Sequence, residues 1–84
     1  MKHVTIYTTP TCGFCAMTKS FFKQKNVSYT EKDVSRDAAT AEEMIEKSGQ
    51  MGVPVTSISD ESGKETLIVG FDRPRLAATL GISE

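Results

Sequence analysis

Cys12-Gly13-Phe14-Cys15 constrains this chain more than any other stretch. These are its only two cysteines, and they fall where one kind of backbone hands over to another. Before them, Lys2 to Thr9 is rich in β-branched residues, with apolar side chains on both parities at Val4, Ile6 and Tyr7. That is the pattern of a strand covered on both faces. Pro10 ends it, because proline cannot donate to a sheet ladder. After it, Thr11 to Lys25 reads as a helix. Thr11 is placed to cap it, which sets Cys12 in the first turn. Cys15, Met17, Phe21 and Phe22 form one broad apolar stripe, Lys19, Lys23 and Lys25 supply polar positions, and Asn26 is a left-handed stop.

The remaining punctuation fixes the order of elements. Val27 to Val34 alternates as a second strand, expected to be less buried on one face. Asp37 caps a helix over Ala38 to Ser48, with Ala41, Met44 and Ile45 as its inner face and Gly49 as its stop. Val53 to Ser59 is a third strand opening on Pro54, and Lys64 to Val69 a fourth. The turn Asp60-Glu61-Ser62-Gly63 between them is so short that the pair must be antiparallel. Gly70-Phe71 breaks the chain, Asp72 caps a last helix with Pro74 in its first turn, and Gly81 stops it. The inner face of that helix is Leu76, Ala77 and Leu80. The order βαβαββα starts with a parallel crossover and ends on an antiparallel hairpin. It predicts an α/β fold: a mixed four-stranded sheet with helices on both faces, in a single domain.

Composition bounds the function. A net charge of −1 over 84 residues argues against nucleic acid as the main partner, since phosphate binding needs a basic surplus. No apolar run approaches membrane-spanning length, and Met1-Lys2-His3 leads directly into the first strand with no signal core. The expected setting is the reducing cytoplasm, and the expected state a monomer. In that setting a cysteine pair points to catalysis or metal binding.

A thiolate attacks and a thiol does not, and a free cysteine is only a few per cent ionised at neutral pH. At a helix start, backbone N–H groups and the dipole favour the thiolate of Cys12. Cys15 lies about one turn on, within reach to donate a hydrogen bond, and Lys19 lies one further turn along on a similar face as a pKa-tuning cation. Cys12 is therefore the expected attacking residue. Cys15, deeper in the helix, is expected to resolve the mixed disulfide. Three plainer uses compete. A structural disulfide closing so short a loop constrains the unfolded chain by only ~2 kcal/mol. Zinc needs four ligands, and beyond the pair only His3 is a familiar candidate. Two ordinary buried cysteines would leave the helix start without a task.

Cys-x-x-Cys at the first helix start and an X-Pro before the third strand resemble the thioredoxin fold. Ile6-Tyr7-Thr8 through Cys12-Gly13-Phe14-Cys15, Lys19, Gly49-Gln50, Gly52-Val53-Pro54-Val55 and Gly70-Phe71-Asp72 resemble the glutaredoxin family over essentially the whole chain. Gly70-Phe71 with Pro74 is also similar to the glutaredoxin-like redoxins that deliver electrons to ribonucleotide reductase. The resemblance implies a small dithiol oxidoreductase in which Cys12 and Cys15 are the redox pair. It implies no bound cofactor, with glutathione or thioredoxin reductase as electron donor and disulfide-containing proteins, ribonucleotide reductase among them, as substrates. It implies a cis Pro54 opposite Cys12, with the Val53 backbone bonding an extended substrate. Thr11, Phe14 and Phe71 would contact substrate, and Gly70 and Asp72 would receive the γ-glutamyl end of glutathione. Glutaredoxins usually have Pro-Tyr where Gly13-Phe14 stands. Many have Lys or Arg at Thr9, Thr at Gly52, and a second glycine at Phe71. Gly13-Phe14 also resembles the single-cysteine glutaredoxins, which leaves an alternative: an iron–sulfur carrier ligating a cluster through Cys12 and glutathione in a dimer.

Overall fold

The computed structural model describes residues 2–82; Met1, read above as leading into the first strand, lies outside the described residues. The chain forms β1 (His3–Thr8), α1 (Gly13–Gln24), β2 (Thr30–Asp33), α2 (Ala38–Ser48), β3 (Val55–Ser59), β4 (Glu65–Val69) and α3 (Arg73–Leu80). The expected order βαβαββα is what is seen. The strands make one sheet in the order β2-β1-β3-β4. β1 runs parallel to β2, with Thr5 beside Thr30, and antiparallel to β3, with Val4 beside Ile58 and Tyr7 beside Val55. β3 and β4 are the antiparallel hairpin, with Val55 beside Val69.

Strand parity divides the core in two. Val4, Ile6, Ile58 and Ile68 point to one side and meet Phe21 and Phe22 of α1 and Leu76 and Ala77 of α3. Tyr7 and Val55 point to the other side and meet Met44 of α2. Helices therefore cover both faces, and β1 at the centre is buried from Val4 to Thr8.

Several element boundaries differ from the sequence reading, two of them at the starts of the second and third strands. The second strand begins at Thr30, not Val27. Asn26 does take the left-handed conformation, at φ 57°. The Val27 N–H then reaches back to the Phe22 carbonyl at 2.8 Å and the Asn26 N–H to Lys23 at 3.3 Å. That is the double bond of a Schellman stop, in which the residue after the left-handed one packs onto the last helical turns. Val27 and Tyr29 spend their side chains on the α1 core instead of a sheet face. The third strand begins at Val55, and Pro54 stands just before it as a buried cis residue.

Two helix faces are also corrected. In α1, Met17 is half exposed, and the fully buried residue beside it is Thr18. Its hydroxyl donates to the Phe14 carbonyl at 2.9 Å, so its polarity is satisfied within the helix. In α2, Met44 alone is fully buried, while Ile45 lies towards solvent and Ala41 is half-buried.

Candidate active site

The register decides what meets at one end of the sheet. β1 ends there, β3 starts there and β4 ends there, so Pro10 to Cys12, Val53-Pro54 and Gly70 to Asp72 follow or precede adjacent strands. The N-termini of α1 and α3 open at the same end.

Cys12 is not in the first turn of α1: it is the cap itself. Its backbone is extended at φ −88° and ψ 111°, the helix starts at Gly13, and its carbonyl accepts the first helical bond from the Ala16 N–H at 3.3 Å. Thr11, the expected cap, is displaced outward and exposed, and its place is explained by the Cys12 N–H bonding the Thr9 carbonyl at 3.3 Å. Capping by sulfur puts Cys12 Sγ 3.0 Å from the Cys15 N–H. A donor aimed at this sulfur, at the positive end of a helix, favours a thiolate there. The two cysteines are joined as a disulfide across a Cα separation of 5.2 Å. Their environments differ. Cys12 is half-buried, whereas Cys15 is 1% exposed. Phe14, between them, is 61% exposed and contributes a bare ring beside the pair.

Lys19 is held elsewhere. Its ammonium lies 3.0 Å from Glu31 Oε2, and the buried Thr8 hydroxyl donates to the same oxygen at 2.7 Å. The Thr8 hydroxyl first, and Lys19 second, hold the Glu31 carboxyl below its ordinary range. The charge expected to tune Cys12 is thus largely matched by a carboxylate of β2, which the sequence reading did not single out.

At the same sheet end, Val53 is half-buried against the α2 core and the Val53–Pro54 bond is cis, as the resemblance implied. The Pro54 carbonyl accepts the Gly70 N–H at 2.8 Å. Gly70 sits at φ 79°, a conformation that suits glycine, and its N–H is therefore engaged within the protein and not turned to a ligand. Asp72 caps α3, with Oδ1 accepting the Arg75 N–H at 3.2 Å. Phe71 packs edge-on against Phe21, with centroids 6.3 Å apart. Met51 is 78% exposed just before the cis-proline turn. No sequence pattern marks it, because a single apolar residue in a connection has no periodicity to break.

A cysteine pair that closes as a disulfide at the strand-to-helix junction of this sheet, at the same sheet end as a cis-proline, defines a thioredoxin-fold redox protein. The comparisons with known proteins narrow the class. The glutaredoxin family model matches residues 4–62. An uncharacterised glutaredoxin-like protein of Clostridium pasteurianum is 38% identical over 73 residues, covering 87% of this chain and 91% of that one. Glutaredoxin 3 of Escherichia coli is 43% identical over 54 residues, covering 64% of this chain and 65% of that one. Among solved structures, a variant of the thioredoxin-like protein BC3987 has a TM-score of 0.81 at 29% identity, covering 99% of this chain and 100% of that one. NrdH-redoxin of Escherichia coli, described as a glutaredoxin-like protein with a thioredoxin-like activity profile, has a TM-score of 0.76 at 26% identity, covering 98% of this chain and 99% of that one. The chain belongs to the glutaredoxin family. Among the described residues no helix is long and apolar enough to cross a membrane.

Proposed function

We propose that the protein is a dithiol electron carrier that reduces disulfides in other proteins. The observation that carries this reading is the asymmetry of the pair: a half-buried sulfur capping a helix and receiving an N–H, next to a buried one. The Cys12 thiolate attacks one sulfur of a target disulfide, and the other target sulfur leaves as a thiolate. Cys15, deprotonated in turn, attacks Cys12 Sγ in the mixed disulfide. The second target thiolate leaves, the Cys12–Cys15 bond forms, and two electrons have passed to the target. Thr11, Phe14 and Phe71 border the exchange, and the backbone beside cis-Pro54 is positioned to receive an extended target segment as an added strand.

Thioredoxin reductase is the proposed donor, with glutathione as the competitor. Thr9 brings no cation for a glycine carboxylate, the Gly70 N–H is held by Pro54, and Asp72 is engaged by the Arg75 N–H. The thioredoxin-like activity profile of NrdH-redoxin supports the same choice, and the resemblance to redoxins that serve ribonucleotide reductase makes that enzyme a target to try first. The test feeds the protein from thioredoxin reductase or from glutathione, side by side, with a protein disulfide as acceptor. Turnover should be faster with the reductase, and Cys12→Ser should abolish it with either donor. A Cys12→Ser variant that kept full activity would end the proposal. The cluster-carrier alternative leaves Cys15 without a task. Anaerobic reconstitution with iron, sulfide and glutathione should give a colourless monomer, and a coloured dimer would favour the alternative.

A further inference from the structure

Beside the redox end lies a groove between α1 and the start of α3. Met17, Ser20, Phe21, Gln24, Phe71 and Arg73 line a cavity of about 210 Å³. That is smaller than a typical small-molecule site of roughly 300–1,000 Å³, and of a size for one or two side chains of a partner. Its floor is apolar: Phe21 and Phe71 meet edge to face, and Met17 is 49% exposed. Its rim is cationic. The Arg73 guanidinium lies 5.6 Å from the Phe21 centroid and has no carboxylate partner among the described residues.

The surrounding charge points the same way. α1 carries Lys23, and Lys19 paired with Glu31, α3 carries Arg73 and Arg75, and neither helix contains Asp or Glu. Yet the whole chain has a net charge of −1. Apart from Asp72, the acidic residues among the described ones lie elsewhere, on β2, on α2 and its cap, and on the β3–β4 hairpin. Asp72, the carboxylate bordering the groove, is engaged by the Arg75 N–H.

We propose that this groove docks an acidic, apolar segment of the target protein: one apolar side chain on Met17 and Phe71, and a neighbouring carboxylate on Arg73. The inference rests on the disulfide-exchange reading and adds a second contact to it. Phe71 follows Gly70, whose N–H is bonded to Pro54, so a target held at the cis-proline continues into the groove within a few residues.

The test mixes prereduced protein with three oxidants in single turnover. Two are synthetic peptides with an intramolecular disulfide, one trailed by Leu-Glu-Leu-Glu and one by Leu-Lys-Leu-Lys. The third is oxidised 2-mercaptoethanol. The wild type should reduce the acidic peptide about fivefold faster than the basic one, and about 0.5 M salt, which shortens the screening length, should erase most of the difference. Arg73→Glu should abolish the preference while the small disulfide reacts unchanged. Gln24→Lys should raise the preference by roughly two- to threefold, a gain that misfolding cannot mimic. The same preference in Arg73→Glu, or an equal loss on all three oxidants, would overturn the proposal. So would dimerisation that Arg73→Glu abolishes, which would assign the groove to a second copy. A wild type that reduces none of the three removes the exchange reading itself, whereas one that reduces all three at equal rates removes only the groove.

Discussion

Tyr7 is 1% exposed, and its hydroxyl donates to Glu43. Burial first, and then the Glu43 hydrogen bond, push its phenol well above the ordinary range. The Glu43 carboxyl is held below its own range, by the Tyr7 hydroxyl and then by Lys32, whose ammonium is 3.0 Å away. Removing the hydroxyl removes a bond from an apolar wall while Glu43 keeps its cation. Tyr7→Phe should therefore cost about 1 kcal/mol and lower Tm by roughly 4–8 °C; an unchanged melting curve would contradict the bond's role. Thr56 shows the opposite case. It is fully buried on the α1–α3 side of β3, and its hydroxyl has no hydrogen-bond partner. Thr56→Val should be neutral or stabilising by about 1 kcal/mol, read by urea denaturation. Neither role was legible in the sequence. Alternation marks which residues point inward, but it cannot say which hydroxyl finds a partner across the interior. Lys19 shows the same limit: helical spacing aligns it with Cys12, but Glu31, reached only through the parallel β1–β2 register, decides where its charge sits.

Helix ends were the most legible elements and also the site of the one consequential shift. Asp37 and Asp72 cap α2 and α3, and Gly49 and Gly81 end them in the left-handed conformation, as these residue types at these positions predict. Open space surrounds Gly49, so its substitution tests the backbone alone. Gly49→Ala should cost about 1 kcal/mol through its φ of 73°, measured by urea denaturation. At α1 the sequence offers Thr11 as the better capping residue, yet the chain uses Cys12. Pro10 and the bond from the Cys12 N–H to the Thr9 carbonyl delay the helix by one position. The cap is then the sulfur proposed to react, so helix stability and reactivity would share an atom. Compared with the reduced wild type, Cys12→Ser should retain the stability of the helix start while Cys12→Ala loses about 1 kcal/mol. Equal stability in the two variants would show that the side chain does not cap.

Across the molecule, topology was readable because few arrangements satisfy the punctuation: a helix between β1 and β2 forces a parallel pair, and a short turn between β3 and β4 an antiparallel one. The residues that would choose an electron donor, Thr9, Gly70 and Asp72 among them, were readable only through the family resemblance, since they meet through the register at one sheet end. Carboxylates lie across the fold in a consistent state. Glu31, Glu43, Glu65, Asp33 and Asp60 are all held below their ordinary values, chiefly by hydroxyl hydrogen bonds, and Lys47 is held above its own by Glu65. Folding thus favours the ionised acids. Their contribution is complete above the ordinary glutamate value of 4.5 and is lost as pH falls through the lowered folded values. The Lys47 contribution is complete below 10.5 and lost as pH rises through its raised value. Denaturation midpoints should accordingly fall on the acid side of pH 4.5, less steeply in Glu65→Gln. The central claim is narrower: Cys12 is the sulfur that attacks. The direct measurement is alkylation of the reduced protein with limiting iodoacetamide at neutral pH, with each cysteine followed by peptide mass. The structure predicts modification of Cys12 at least about tenfold faster than Cys15, as a capped thiolate beside a buried thiol requires. Equal rates, or faster modification of Cys15, would contradict it.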